Sequence, residues 1–461
     1  MVDWSLLMRR LRAAAAGLTA VVTVLAISVL APSVHASTAM PVYGRTAGAR
    51  PVPASAGHIL KAHRFVTPPT TADCQAAIGI ACYSPTQIQT AYNVAPLFNH
   101  GDTGRGQTIA IVDSFGSPTI TADLKSFDDA FGLPAPPSLT VIAPAGPIPP
   151  YDNSDDRQGW AFESTLDVEY AHAMAPGANI LLVETPVSET EGTQGFPEIV
   201  QAENYVINHN MADVISQSFG ATEQTFPTTA SLLRLRGAFI NAAAHHVTVL
   251  AASGDDGATD ATADGIGTYP TRVNSWPSSD PLVTSIGGSQ LFLDAAGHRT
   301  APDVVWNDGY GASGGGVSSI FPRPAFQSRV RDVVGGHRGT PDISMSAAVN
   351  GGVLVYISAF GAGSEGFYIV GGTSEASPLF AGVVALSTQL AHHKIGDINP
   401  LLYNLGKSPR QTGLIDVTSG DNTFAGVTGY PATTGYDLAS GWGTIDAAAF
   451  VPGLAARANA D

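Results

Sequence analysis

The chain has 461 residues, 44% of them hydrophobic and 13% charged, which is enough apolar material for a large core in one big domain or two. Its 50 glycines and 32 prolines indicate a loop-rich globular protein rather than a fibrous or wholly disordered one. With 22 Lys+Arg against 38 Asp+Glu the formal net charge is −16, and no basic cluster follows the first dozen residues, so nucleic acid is excluded as an expected partner.

Arg9, Arg10 and Arg12 precede an apolar run over residues 13–31, and "SVHA" ends at Ala36 with Val34 two residues earlier. A positive flank, an apolar run and a small residue at the cut describe a secretory signal peptide over residues 1–36. An uncleaved membrane anchor is the alternative, because the run is long enough to span. Residues 37–82 then read as a short, poorly ordered leader rich in Ala, Pro, Thr and Ser. It ends at a loop between Cys74 and Cys82, which in an exported chain reads as one disulfide.

"SPTQIQTAYN" starts a short helix capped by Ser84 or Thr86, and "GQTIAIVDSFG" is an apolar strand ending at Asp113. Helix and strand then alternate: "ITADLKSFDDAFG" helical, "ANILLVET" a strand, "FPEIVQAENYVINHN" a helix, "ADVISQSFG" a strand, "TASLLRLRGAFINAAAHH" a helix, "VTVLAASGDDG" and "PLVTSIGG" strands. The alternation predicts a parallel sheet covered by helices, an α/β fold with its site at the C-terminal ends of the strands. Asp113, Ser218 and Asp255 stand at such ends.

In "VGGTSEASPLFAGVVAL", Gly371 and Gly372 permit a close backbone approach, and Ser374 falls at or just before a helix N-terminus, with Pro378 expected in the first turn. Ser374 is either a nucleophile or a plain helix cap. Of the 12 histidines, only His172 occupies a suggestive place as its base. The carboxylates in "GWAFESTLDVEYAHAMAPGANI" are the better candidates. Glu163 and Asp167 lie four apart on one helix face, where they repel unless they share a proton. Glu163 can then act as general base and Asp167 as its partner, at acid pH. A solvated acidic face that includes Glu169 is the alternative. In "LAASGDDGA", Asp255 is a candidate protonated donor to an oxyanion, or part of a turn, or a cation ligand with Asp256 and Asp260.

Glu163, Asp167 and Glu169 before "APGA", then "ASGDDG", then "GGTSEASP", resemble the motifs of the sedolisin, or serine-carboxyl peptidase, family, in the family's order. "GQTIAIVDS", "VISQSFGATE", "SGGGVSSIFPRPAFQ" and "RGTPDIS" match as supporting segments. The resemblance implies a subtilisin-like parallel sheet flanked by helices in a single large catalytic domain over residues 83–453, followed by a tail over residues 454–461. It implies Ser374 as nucleophile, Glu163 as base, Asp167 as its partner and Asp255 as the oxyanion-hole acid. It also implies one structural Ca2+ held by Asp416 and the Val417 carbonyl, with Thr433, Gly435 and Asp437 from "ATTGYDLASGWGTID".

Three departures from the family stand out. Residues 37–82 are too few for the family's long folded propeptide, Phe219 stands where many members have tryptophan, and Ala347 and Ala348 follow "PDISMS" where acidic residues are common. The expectation is a secreted, monomeric acid peptidase acting on proteins or peptides, with no nucleic-acid or stable membrane partner. A neutral protease using a histidine and Asp113, or a non-catalytic secreted binding protein on the same scaffold, is the alternative.

Overall fold

The apolar run from Ile109 to Val112 alternates between two cores. Ile109 and Ile111 join one hydrophobic cluster, while Ala110 and Val112 join another on the opposite face of the sheet. A strand buried on both faces is what a helix-covered parallel sheet requires. The structure, a computed structural model, describes residues 58–59, 63–407 and 412–460. The expected signal peptide, including His35, lies outside the described residues, as does most of the leader.

The central sheet has eight strands: β1 (Thr108–Ser114), β2 (Leu139–Ile142), β3 (Asn179–Thr185), β4 (Val214–Gln217), β5 (Thr248–Ala252), β6 (Thr284–Gln290), β7 (Val304–Val305) and β8 (Ile343–Ser346). Their order is β7-β6-β5-β4-β1-β3-β2, with β8 also paired to β6. All pairings are parallel except that of β7. Strand β1 lies between β4 and β3, so the connections leaving it diverge and open a crevice beyond its C-terminal end.

The helices that position the site are α1 (Ile120–Phe131), α2 (Asp155–Met174), α3 (Phe196–Asn208), α4 (Gly237–Ala244), α5 (Thr373–Ala391) and α6 (Ala447–Ala458). Residues of α2, α5 and α6 share a cluster with Ile109 and Ile111, whereas α3 and α4 cover Ala110 and Val112. Helices α2 and α5 pack against each other. Where they cross, Gly382 leaves room for Met174: a Cβ at Gly382 would come within 2.5 Å of the Met174 Cβ.

Four local expectations change. The stretch read as one helix before β5 breaks into Thr229–Leu233, a 3-10 turn Arg234–Arg236, and α4. Gly237 weakens a continuous helix there, and Arg236 is drawn to Asp280, with Nε 2.5 Å from Oδ2, while its guanidinium stacks on Phe321. Pro378 is not in the first turn of α5 but at its sixth position, because the helix already begins at Thr373.

The end of the leader is ordered. Thr71–Ile78 is a helix with a Thr70/Asp73 capping box, Cys74 is disulfide-bonded to Cys82, and strand Cys82–Tyr83 pairs in parallel with strand Gly352–Ile357. Cys74, Ile80 and Cys82 pack against Val349, Leu354 and Ile369, so this order comes from tertiary packing and leaves no periodic trace in the sequence. Finally, α6 continues through residues 454–458, with Leu454 and Ala455 buried, so most of the expected tail is helix.

Candidate active site

Glu163, Asp167 and Glu169 are all fully buried, and α2 is buried without interruption from Trp160 to Met174. A solvated acidic helix face is therefore excluded. Glu169 separates from the other two: its Oε2 accepts the Tyr356 N–H at 3.1 Å. Asp167 faces the end of β1 and β4. Its Oδ1 accepts the Ser218 hydroxyl at 2.9 Å. Burial pushes Asp167 well above the usual carboxylate range; the Asp113 and Glu163 carboxylates add to the push, and the Ser218 hydroxyl opposes it. Burial raises Asp113 to about 7, with the Ser164 hydroxyl working against the rise and Glu184 adding to it. Three carboxyl groups, Asp113, Glu163 and Asp167, thus share one low-dielectric pocket, where the first two raise the cost of ionising Asp167.

Ser374 is the second residue of α5. The cap is Gly372 (φ 127°, ψ 161°), a backbone conformation that favours glycine, so Ser374 is not the capping residue. Gly371 also has to be glycine, since a Cβ there would lie 2.6 Å from the Val349 nitrogen and 2.7 Å from the Ala347 oxygen. Ala347 and Ala348, at positions where acidic residues are common in the family, are buried beneath this turn, and the Ala347 carbonyl accepts the Gly372 N–H at 2.6 Å. Pro378 has no N–H to offer the Ser374 carbonyl four residues earlier. The Ser218 hydroxyl lies 3.4 Å from that carbonyl, so one side chain touches both Asp167 and the backbone of Ser374.

Asp255, beyond the end of β5, reaches the same turn. Its Oδ1 accepts the Thr373 N–H at 2.7 Å and the Thr373 hydroxyl at 2.8 Å. The Thr373 Oγ1 lies 3.1 Å from both the backbone nitrogen and the carbonyl oxygen of Gly254. Burial lifts Asp255 to about 8; the two Thr373 bonds hold it down, and Asp256 and Asp260 raise it further. Burial thus favours the protonated form of Asp255 over the ionised one. Glu375 is a further buried acid in this turn, pushed well above its ordinary range by burial and by Asp255.

His172 takes no part. Its Nε2 lies 2.8 Å from the Pro134 carbonyl and 3.2 Å from Asp128, on α1. His209, His245 and His392 cap the C-terminal ends of α3, α4 and α5. Phe219, next to Ser218, is buried edge-on between Trp160 and Phe196 at centroid distances of 6.3 and 6.1 Å. Sequence reasoning did not assign a role to Thr373 or to the bridging function of Ser218. The first was visible only as the middle of Gly-Thr-Ser, the second only as a residue at a strand end.

The residues expected to hold Ca2+ also meet. Gly435 donates its N–H to Asp416 Oδ2 at 2.9 Å, and Thr433 donates to Asp437 Oδ2 at 2.8 Å, so the two carboxylates grip the same short turn. Asp437 Oδ1 accepts the Ala439 and Ser440 N–H groups. Asp416 Oδ1 is buried and has no hydrogen-bond partner. Among the described residues no group of three or more His, Cys, Asp or Glu could hold a metal, so an ion here would depend on backbone carbonyls beside two carboxylates. An all-oxygen donor set with an orphaned carboxylate oxygen fits Ca2+.

Residues 152–404 match the model of the subtilase family. The chain is 33% identical over 371 residues to kumamolisin of Bacillus sp. (strain MN-32), covering 78% of this chain and 62% of that protein. It is 32% identical over 373 residues to sedolisin of Pseudomonas sp. (strain 101), covering 79% and 60%. The chain thus spans about three fifths of the length of these relatives. In three dimensions it is similar to Pseudomonas sedolisin, a serine-carboxyl proteinase complexed with two molecules of pseudo-iodotyrostatin, with a TM-score of 0.70, 31% identity, and coverage of 81% of this chain and 97% of that one. The motif order, the helix-flanked parallel sheet and these likenesses together place the chain in the subtilase family and, within it, among the sedolisins.

Proposed function

We propose that the chain is a secreted serine-carboxyl peptidase that cleaves peptide bonds of protein or peptide substrates at acid pH. The observation that carries this reading is the Ser218 hydroxyl, within reach of both Asp167 on α2 and the Ser374 carbonyl on α5, which ties the acid pair to the serine turn.

The Ser374 hydroxyl attacks the scissile carbonyl while Glu163 takes its proton, with Asp167 orienting Glu163 and sharing the excess proton of the pocket. The oxyanion is held by neutral Asp255 and by N–H groups at the start of α5. Thr373 occupies Oδ1 of Asp255 with two donated bonds, so the acid's own proton resides on Oδ2. Glu163 returns the proton to the leaving amine, the C–N bond breaks, and a water then hydrolyses the acyl-enzyme by the same steps in reverse. At acid pH an imidazole would be protonated and unable to act as base, whereas a carboxylate whose pKa lies near the working pH can.

Asp416, Asp437 and the carbonyls of Val417, Thr433 and Gly435 would hold one Ca2+, whose role is to tie the C-terminal loops together. The N-terminal Arg-flanked apolar run and the Cys74–Cys82 disulfide support export. No helix among the described residues is long and apolar enough to cross a membrane. A monomer is the simplest reading.

The test is peptide cleavage from pH 2 to 8 by the wild type, Ser374→Ala and Glu163→Gln. The expected result is an acid maximum and a loss of at least about 10³-fold in kcat for each variant. A maximum above pH 7, or full activity in Glu163→Gln, refutes the reading.

A further inference from the structure

Six residues before Glu163 on α2, Arg157 is buried, with 7% of its surface exposed. Its Nη2 donates to the Pro149 carbonyl at 2.9 Å, while Nε and Nη1 are buried and have no hydrogen-bond partner. The guanidinium lies 4.1 Å from the centroid of the Phe115 ring and 5.8 Å from that of Tyr151. Phe115 holds a φ of 63°, a costly conformation for an aromatic residue, and its N–H is fixed on the Thr185 carbonyl at 2.8 Å. Arg157 lines a cavity of about 630 Å³ whose walls include Phe115, Pro149, Pro186, Val187 and Ser188. The cavity opens beyond the C-terminal ends of β1 and β3, on the same edge of the sheet as the candidate active site.

Asp152, Asp156 and Glu184 supply opposite charge within electrostatic range, but no acceptor reaches Nε or Nη1, and a buried donor left without an acceptor is costly. A carboxylate supplies such acceptors, through charge-assisted hydrogen bonds. We propose that Arg157 is a specificity-determining residue that binds the side-chain carboxylate of a Glu or Asp of the peptide substrate in this cavity. The inference rests on the reading of the chain as a peptidase and deepens it.

The cavity also carries Asp152, Asp155 and Asp156, with Glu184 within electrostatic range of Arg157. Asp152 Oδ1 is occupied by the Ser154 hydroxyl at 2.6 Å, and Asp156 Oδ1 by the Ser188 hydroxyl at 2.7 Å. These acids line the same cavity and oppose an anionic guest, so what favours a carboxylate there is the charge-assisted hydrogen bonds it offers to the guanidinium. Helix rise puts Arg157 about 9 Å along the axis from Glu163. An extended peptide advances about 3.3–3.6 Å per residue, so the acidic side chain belongs about three residues from the scissile bond.

The experiment compares matched peptides carrying Glu or Gln in turn at each position flanking the cleaved bond, assayed at pH 5, where a glutamate side chain is largely ionised. At one position, about three residues from the bond, Glu should raise kcat/KM about tenfold or more over Gln. Arg157→Gln should bring that ratio to near one. A wild-type ratio near one at every position overturns the proposal, whatever the substitution does to folding. Calorimetric binding of the same Glu and Gln peptides to Ser374→Ala separates this inference from the peptidase reading. Glu-selective binding without cleavage by the wild type keeps the site and removes the peptidase, while cleavage without selectivity does the reverse.

Discussion

Thr373 grips the Asp255 carboxyl twice on one oxygen, through its backbone N–H at 2.7 Å and its hydroxyl at 2.8 Å. The residue immediately before the serine thereby sets the orientation of an acid 118 positions away in the chain. Both bonds would favour an ionised Asp255, yet burial outweighs them and lifts it to about 8.

This orientation leads to a graded expectation for Asp255. Asp255→Ala removes the donor from the oxyanion and should lower kcat about 10²–10³-fold. Asp255→Asn can keep its oxygen on Thr373 and point its NH2 where the acid's proton stood, so it should retain clearly more activity than the alanine variant. Equal losses in the two variants, measured on one peptide at pH 4, would show that the carboxyl does not act as a neutral donor.

Ser218 offers a test of positioning rather than chemistry. Its hydroxyl, 2.9 Å from Asp167 and 3.4 Å from the Ser374 carbonyl, lowers the pKa of Asp167. Ser218→Ala should reduce kcat by up to about tenfold with little change in KM, one hydrogen bond being worth about 0.5–1.5 kcal/mol net. It should also move the alkaline limb of the pH profile upward, because Asp167, which holds the shared proton, then gives it up only at higher pH. A loss of kcat with an unmoved alkaline limb would mean that Ser218 serves packing alone.

Stability should fall as pH rises. Glu203 and Asp255 are held near 8, and Asp113 and Glu184 near 7, chiefly by burial. In the unfolded chain these groups ionise near pH 4. Between about pH 4 and 8 the folded state therefore binds more protons than the unfolded one, and each group removes up to about 1.4 kcal/mol of stability per pH unit until its folded pKa is passed. The melting temperature should be highest near pH 4 and decline toward pH 8. Glu203 lies on α3 and accepts a hydrogen bond from Gln217, a contact that glutamine can keep. Glu203→Gln should leave the melting temperature at pH 4 unchanged and raise it at pH 8 by about 2 °C or more. A flat pH dependence in the wild type would contradict the argument.

Calcium should act through stability before activity. At a free concentration one hundred times its Kd, the ion would add about 2.7 kcal/mol to the folded state. Excess chelator should lower the melting temperature by several degrees, and added Ca2+ should restore it. Asp416→Asn, which withdraws the carboxylate whose Oδ1 lacks a partner, should abolish the response. An Asp416→Asn variant that responds to Ca2+ like the wild type would place the ion elsewhere.

Much of this protein is determined by the sequence alone, because local patterns carry it. Apolar runs such as Ile109–Val112 alternate with helical segments, and this alternation requires a parallel sheet with helices on both faces, as found. The spacing of Glu163 and Asp167 sets them on one helical face whatever the rest of the chain does. What the tertiary structure decided is which of those acids lie out of water. Glu169, two residues from Asp167, goes to the Tyr356 backbone, and His172 goes to Asp128 and Pro134. The Thr373–Asp255 clasp, the Ser218 bridge and the orphaned donors of Arg157 join residues far apart in the chain. Spacing in a sequence fixes direction around a helix or strand. Desolvation and hydrogen-bond partners depend on what the fold packs against that direction, and those are the quantities that set a carboxyl group's pKa and its role.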